Sequence, residues 1–297
     1  MQKIIPNLWF DNQAEEAAAF YTKLFKNSRK GSITRYEAEA AKVSGMPEGS
    51  VLTVEFQLEG YEFIGLNGGP VFKFTPAVSF FVNCETVEEI DKLWAGLSQG
   101  GFVLMEFQKY PFAEKYGWLN DKYGVSWQLM LGKYPQKIRP CLMFVGKQVG
   151  KAEEAINLYA SLFPDSKVEM LSRYGKGRAD AEGTINHGAF TLAGQGFIAM
   201  DSALEHRFIF TEATSLMVQC KDQAEIDRYW KKLTEGGEEQ PCGWLKDKYG
   251  LSWQIVPIEL NDILQNPDPV KRQRVMKVFL QMKKIDIAAL KRALEGK

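Results

Sequence analysis

The stretch GWLNDKYGVSWQLM at residues 117–130 recurs as GWLKDKYGLSWQIV at residues 243–256, 126 positions later. Two further segments repeat in the same order: AEEAAAFYTKLF (14–25) returns as AEEAINLYASLF (152–163), and FTPAVSFFVNCETVEEIDKLW (74–94) returns as FTEATSLMVQCKDQAEIDRYW (210–230). Repetition of this length indicates a duplicated structural unit. The chain is therefore predicted to contain two tandem copies of one domain.

The repeats set the expected domain boundaries at residues 1–133 and 136–258, and a tail at 259–297 lies outside them. The offset between the copies is 136 residues for the match that begins at residue 74 and 126 for the match that begins at residue 117, so domain 1 carries an insertion around FQKYPFAEKY (107–116). Inserted loops often border a ligand site.

Each copy is predicted to hold two βαβββ modules, because the periodicity changes from strand-like to helix-like and back twice. The segment at 85–101, for example, has apolar residues at helical spacing and ends in two glycines. In the tail, one helix is expected to begin with Asp268 as N-cap and Pro269 at the first helical position, and a second after Asp286.

Composition excludes several classes of partner. The 297 residues include 37 basic and 37 acidic side chains, so no overall field attracts nucleic acid or a membrane surface. No segment has the length and hydropathy of a membrane span or of a signal peptide. Four widely spaced cysteines fit buried, reduced thiols. We expect a cytoplasmic protein without nucleic-acid or membrane partners.

The repeated phrases, above all GWLxDKYGxSWQ and SFFVNCETVEEIDKLW, resemble the PhnB-like branch of the vicinal oxygen chelate superfamily, which includes glyoxalases and bleomycin-resistance proteins. The resemblance implies an α+β fold of tandem glyoxalase-like domains. In each domain two βαβββ modules form a curled mixed sheet around a ligand cup, and C-terminal helices follow. Members of this branch often carry the label 3-demethylubiquinone-9 3-methyltransferase.

Metal-dependent relatives such as glyoxalase I hold a divalent ion with side chains from the first and last strands of paired modules. Alignment to that pattern places Pro6 and Gln128 at ligand positions in the first copy, and Pro140 and Gln254 in the second. Prolines and single amides are poor metal ligands, and the chain has only two histidines. We therefore predict no metal and no cofactor.

The candidate ligand-binding residues are polar or aromatic and lie on predicted strands or at their ends. They are Asn7, Asn67, Trp118, Ser126, Gln128, His187, Asp201, Trp244, Ser252 and Gln254. In each SWQ motif Ser and Gln share one strand face and Trp takes the other. The two glutamines either point into a ligand pocket or satisfy a neighbouring strand, and the two tryptophans at 118 and 244 either line a pocket or anchor the core.

The leading hypothesis is a metal-free protein that binds a small organic molecule in one or both cups. Its alternatives are a metal-dependent lyase, isomerase or dioxygenase of the same superfamily, a 3-demethylubiquinone-9 3-methyltransferase, and a scaffold whose cups are filled by side chains. Four modules in one chain can mimic a dimer of single-domain relatives, so we expect a pseudo-dimeric monomer, with a homodimer as the alternative.

Overall fold

The computed structural model describes residues 2–297, and the first repeat forms two βαβββ modules. Module 1 contains β1 (Ile4–Phe10), α1 (Ala14–Leu24), β2 (Arg29–Arg35), α2 (Ala38–Ser44), β3 (Val51–Leu58) and β4 (Tyr61–Asn67). Module 2 contains β5 (Val78–Cys84), α3 (Val87–Ser98), β6 (Phe102–Tyr110), β7 (Ala113–Asn120) and β8 (Ser126–Leu131). The short helix α2 is an addition to the predicted pattern.

The second repeat follows the same plan. Module 3 contains β9 (Ile138–Val145), α4 (Ala152–Leu162), β10 (Lys167–Arg173), β11 (Ile185–Leu192) and β12 (Gln195–Ser202). Module 4 contains β13 (Thr214–Cys220), α5 (Gln223–Leu233), β14 (Glu238–Glu239), β15 (Trp244–Lys246) and β16 (Ser252–Pro257). The tail forms α6 (Leu260–Leu264), α7 (Pro269–Phe279) and α8 (Ile287–Glu295). The tandem α+β fold with C-terminal helices is thus confirmed.

The modules assemble into two eight-stranded mixed sheets, and each sheet takes one module from each repeat. Sheet A joins modules 4 and 1 in the order β14-β15-β16-β13-β1-β4-β3-β2. Sheet B joins modules 3 and 2 in the order β10-β11-β12-β9-β5-β8-β7-β6. This differs from the expectation that the two modules of one repeat form a sheet: both cups are shared between the repeats, because β1 pairs with β13 and β5 pairs with β9.

The two modules of each sheet meet through their first strands, which run antiparallel. In sheet A, Asn7 on β1 lies opposite Ser215 on β13. In sheet B, Ser79 on β5 lies opposite Cys141 on β9. The last strand of each module then pairs in parallel with its first strand, as Ser215 does with Ser252. First and last strands thus form the centre of each sheet.

The hydrophobic cores follow the repeats although the sheets do not. One buried cluster contains Leu8, Tyr21, Phe80 and Trp127 from the first repeat. A second contains mainly residues of the second repeat, including Tyr159 and Trp253. Each repeat therefore has one module in sheet A and one in sheet B. The helix-facing sides of these two modules pack against each other to form the core of that repeat.

The tail helices pack on the body and are capped as the sequence predicts. Asp268 accepts hydrogen bonds from the amides of Val270 and Lys271 at the start of α7. Asp286 caps α8 in the same way. The fully buried Ile285 and Leu290 join the core of the second repeat. Within residues 2–297, no helix has the length and apolar character of a membrane span.

Candidate functional site

A cavity of about 470 Å³ lies on the inner face of sheet A, the face turned away from helices α1 and α5. Strands of both modules form its floor, and the tail supplies one wall through Leu260, Leu264 and Phe279. Most of its lining residues are apolar, and nine of the 25 are polar or charged. This composition is typical of binding sites for small organic molecules.

Three of the predicted ligand contacts, Asn7, Trp244 and Gln254, line this cavity. Alternation along β1 places Ile5 and Asn7 on the cavity side, whereas Leu8 on the opposite face lies in the core of the first repeat. Asn7 is only 4% exposed, and its Oδ1 has no hydrogen-bond partner within residues 2–297. A buried carbonyl oxygen without a partner is costly and uncommon, so this atom is available to a ligand.

The side chain of Gln254 is held by its neighbour in the sheet. Its Nε2 donates to Ser215 Oγ at 2.9 Å, and Gln254 itself is buried and lines the cavity. Gln219, two residues past Met217 on β13, also lines the cavity, and its Oε1 is a second buried acceptor with no partner among the described residues. Arg29, Glu55 and Glu62 add charged side chains to the lining.

The serine of the second SWQ motif, Ser252, is also a predicted ligand contact, and it lies on the same strand face as Gln254. Its Oγ is buried and has no partner in the described part of the chain. Ser252 does not belong to the cavity lining, so the structure brings three of the ten predicted residues together at this site.

In sheet B the corresponding inner face carries a buried cluster that includes Phe81, Tyr116, Trp118 and Met143. Tyr116 Oη donates to Gln128 Oε1 at 2.6 Å, and Gln128 Nε2 donates to Ser79 Oγ at 2.8 Å. This face therefore contains a continuous hydrogen-bonded chain from a tyrosine to the sheet.

Two other predicted residues of sheet B, Trp118 and Ser126, bond to each other, with Nε1 donating to Oγ at 2.8 Å. The predicted insertion contributes much of the buried cluster on the inner face of sheet B. It extends the β6–β7 hairpin, which supplies Tyr110, Ala113 and Tyr116 to that cluster.

His187 and Arg139 lie on the inner-face side of sheet B. A Cβ added at Gly188 would strike Ile156 of α4, so the preceding His187 points the other way. Burial and the nearby Arg139 lower the pKa of His187. Arg139 itself is 3% exposed and stacks on Tyr134, with 3.6 Å between Cζ and the ring centroid. Sequence reasoning missed this buried arginine, since a single charge on an apolar strand has no distinctive spacing.

Asn67 and Asp201 occupy equivalent positions at the ends of β4 and β12, away from the cavity lining. Asn67 Oδ1 accepts from the amide of Ala14 at 2.8 Å, where α1 begins. Asp201 Oδ1 accepts from the amides of Gly150 and Ala152, at the start of α4. Both side chains thus hold a helix N-terminus against the sheet.

The tryptophans of the SWQ motifs lie on the helix side, anchored by an aspartate of the same repeated segment. Asp121 Oδ2 accepts from Tyr21 Oη at 2.6 Å and from Trp127 Nε1 at 2.8 Å, and Oδ1 accepts from the amides of Tyr123 and Val125. Burial outweighs these donors and raises the pKa of Asp121 to about 6. Asp247 makes the same four bonds in the second repeat.

The two inner faces differ in the size of their side chains at equivalent positions. The 126-residue offset that relates the GW motifs pairs Tyr116 with Cys242, and the 136-residue offset pairs Phe81 with Met217. Cys242 and Met217 both line the cavity. Burial raises the pKa of the Cys242 thiol to about 11, so at neutral pH it is a small neutral side chain.

The donors around the cavity do not fit a divalent metal ion. Pro6, which the alignment predicts at the first ligand position, faces away from the cavity, and Asn7 takes the inner position instead. On the neighbouring central strands the cavity is lined by Ile64, Met217 and Gln254. Two amides and apolar side chains supply too few anionic or imidazole donors. Across residues 2–297, no group of three or more His, Cys, Asp or Glu side chains is placed to hold a metal.

S-adenosylmethionine, which a methyltransferase of this name requires, fits no better. Its amino-acid end carries charges, whereas the buried polar groups of the cavity, Asn7 and Gln254, are neutral amides. The helix starts at α1 and α4 are already occupied by Asn67 and Asp201. The charged side chains of the lining, Arg29, Glu55 and Glu62, are exposed or half-buried, so the buried part of the site lacks the charged partners that such a cofactor needs once it leaves water.

Comparison with known proteins identifies the family of the chain. The model of the 3-demethylubiquinone-9 3-methyltransferase family matches residues 2–130 and 136–256, once in each repeat. No curated protein matches the chain. Among solved structures, a PhnB protein from Bacillus cereus that carries the same methyltransferase name is 48% identical, covers 44% of this chain and 100% of its own, and has a TM-score of 0.41.

Glyoxalase I from Zea mays is 11% identical, covers 94% of this chain and 98% of its own, and has a TM-score of 0.54. At this identity the likeness shows the fold alone, which is the glyoxalase-like fold predicted from the repeats. With both repeats matched by one family model, the chain belongs to the 3-demethylubiquinone-9 3-methyltransferase family, whose name the PhnB protein from Bacillus cereus also carries.

Proposed function

We propose that the protein binds a small, largely apolar organic molecule in the cavity of sheet A. One observation carries the proposal: a cavity of about 470 Å³ with an apolar lining contains the buried amides Asn7 and Gln254. An apolar lining favours burial of the ligand, and a few fixed polar groups set its orientation. Trp244 adds an aromatic surface to the same wall.

The alternatives within the superfamily have less support from the side chains present. A metal-dependent lyase, isomerase or dioxygenase needs a ligand set that the two amides do not supply. Methyl transfer from S-adenosylmethionine needs charged partners that the buried part of the cavity lacks. Binding without a metal or cofactor is consistent with every polar group described.

We also propose that one chain suffices for both cups and acts as a pseudo-dimeric monomer in the cytoplasm. Each sheet already joins a module of one repeat to a module of the other, so a second chain is not needed to complete it. The four cysteines form no disulfide among the described residues, and Cys84, Cys141 and Cys220 are buried thiols, which suits a reducing compartment.

A thermal-shift screen with neutral small organic molecules tests ligand binding in this cavity. We expect wild-type hits to raise the melting temperature, because a ligand that binds only the folded state stabilises it. The Cys242→Tyr variant places a ring in the cavity, and we expect the same compounds to lose their effect on it.

The Tyr116→Phe variant is the matched control, since it alters the equivalent position in sheet B and leaves the cavity of sheet A intact. It should respond to the hits as the wild type does. Compounds that stabilise the wild type and Cys242→Tyr equally would place binding elsewhere and contradict the proposal.

A further inference from the structure

Sheet B contains, at the position equivalent to the cavity, a phenol ring supplied by the chain itself. The ring of Tyr116 is buried at 4% exposure, and its hydroxyl donates to Gln128 Oε1 at 2.6 Å. The side chain of Phe81 lies beside it, with ring centroids 6.2 Å apart. The inner face of sheet B therefore shows how a phenol is accommodated by this fold.

Sheet A has the same glutamine–serine pair on its inner face, but no tyrosine donates to the glutamine. Gln254 Nε2 donates to Ser215 Oγ at 2.9 Å, as Gln128 Nε2 donates to Ser79 Oγ at 2.8 Å. By the sequence offsets, Cys242, in the 3-10 turn just before β15, matches Tyr116, and Met217 matches Phe81. At the matched position a thiol stands where sheet B has a phenol ring, and Cys242 and Met217 both line the cavity.

The buried side-chain atoms of the cavity lining that have no partner within residues 2–297 are both acceptors. Asn7 Oδ1 and Gln219 Oε1 are buried and have no partner within the described chain. Gln254 Oε1 corresponds to the atom that accepts the tyrosine hydroxyl in sheet B. A ligand that only accepts hydrogen bonds, such as a quinone or an ether, would leave these oxygens unpaired at a cost. A hydroxyl donates one hydrogen bond, so a ligand with a hydroxyl would satisfy one of these oxygens.

The geometry points to a phenol, or another neutral aromatic compound with a hydroxyl donor, as the ligand class of the sheet A cavity, with its hydroxyl donating to Gln254 Oε1. This inference rests on the proposed function, because it assigns a ligand class to the same cavity. Tyr116 in sheet B acts as the built-in counterpart of that ligand.

The test measures binding of p-cresol, the side chain of tyrosine as a free molecule, to the full-length protein by NMR titration. Its partner probe is 4-fluorotoluene, which has nearly the same shape but no donor. Both are titrated into the wild type and into Gln254→Met, a substitution of similar volume that removes the acceptor. Loss of one hydrogen bond is expected to lower the preference for p-cresol over 4-fluorotoluene by about tenfold.

Gln128→Met is the matched control in sheet B and should leave the preference unchanged, and thermal unfolding verifies that each variant is folded. An equal preference in the wild type and in Gln254→Met overturns the ligand class, as does absence of p-cresol binding at millimolar concentration. The proposed function fails separately, when Cys242→Tyr responds to every hit of the thermal-shift screen as the wild type does.

Discussion

Asp121 and Asp247 are the residues on which the repeated segment depends most. Each carboxylate accepts a tyrosine hydroxyl from the first helix of its repeat, an indole N–H from the SWQ strand and two backbone amides from the turn between them. The identical bonds in both copies explain why the aspartate, the turn and the tryptophan recur together. Asp121 opens the DKYG turn, and its side chain also contacts a helix about 100 positions away in the chain.

Asp121→Ala is expected to destabilise the protein by about 3 kcal/mol or more, because four donors lose their acceptor in a buried site. Urea unfolding followed by tryptophan fluorescence measures the change. The exposed Asp262 on α6 gives a control, since Asp262→Ala should alter the free energy of unfolding by less than about 0.5 kcal/mol. A loss for Asp121→Ala as small as that of the control would show that the network contributes little.

At the scale of elements, the strand ends hold the helix starts. Asn67 at the end of β4 bonds to the first amide of α1 and, through Nδ2, to the carbonyl of Val51 on β3 at 3.0 Å. Asp201 has the same relation to α4. Helix α1 therefore lacks a side-chain cap from its own N-cap residue, Gln13, and receives it from a strand instead. Sequence patterns near a helix cannot show a cap that comes from about 50 residues away.

Asn67→Ala is expected to lower the free energy of unfolding by about 1–2 kcal/mol, the usual cost of removing a helix cap. It should leave the affinity for ligands of the sheet A cavity unchanged, because Asn67 is not part of the lining. Chemical denaturation and ligand titration of the same sample measure both quantities. A large loss of affinity in a fully folded variant would instead support the sequence-based prediction that Asn67 contacts the ligand.

For the whole molecule, the important feature is the exchange of modules between repeats. The two largest cores lie mainly within one repeat each, whereas each sheet crosses from one repeat to the other. The tail adds a further connection: α7 reaches the first repeat, where Arg272 Nε lies 2.6 Å from Glu37 Oε1 and Met276 packs on Tyr36 and Ala40. The halves of the chain are therefore expected to depend on each other.

Co-expression of residues 1–134 and 135–297 as two polypeptides tests this dependence. The fragments are expected to co-purify as a stable one-to-one complex, because β1 pairs with β13 and β5 pairs with β9 across the break. Expressed alone, each fragment exposes the first strand of both its modules and should self-associate or aggregate. Two fragments that purify separately as folded monomers would contradict the exchange of modules.

By itself, the sequence determined the duplication, the α+β modules, the tail helices and the amide-bearing strands, because repetition, periodicity and the caps of α7 and α8 are local properties of the chain. Only the tertiary structure decided which modules share a sheet and which residues share a site. Asn7 and Gln254 are nearly 250 positions apart and line one cavity only because β1 pairs with β13. Cys242 and Met217 line that cavity, whereas Tyr116 and Phe81, which match them by the sequence offsets, lie in the buried cluster of sheet B. Long-range pairing and the volume around a cavity are properties of packing, and no local pattern records them.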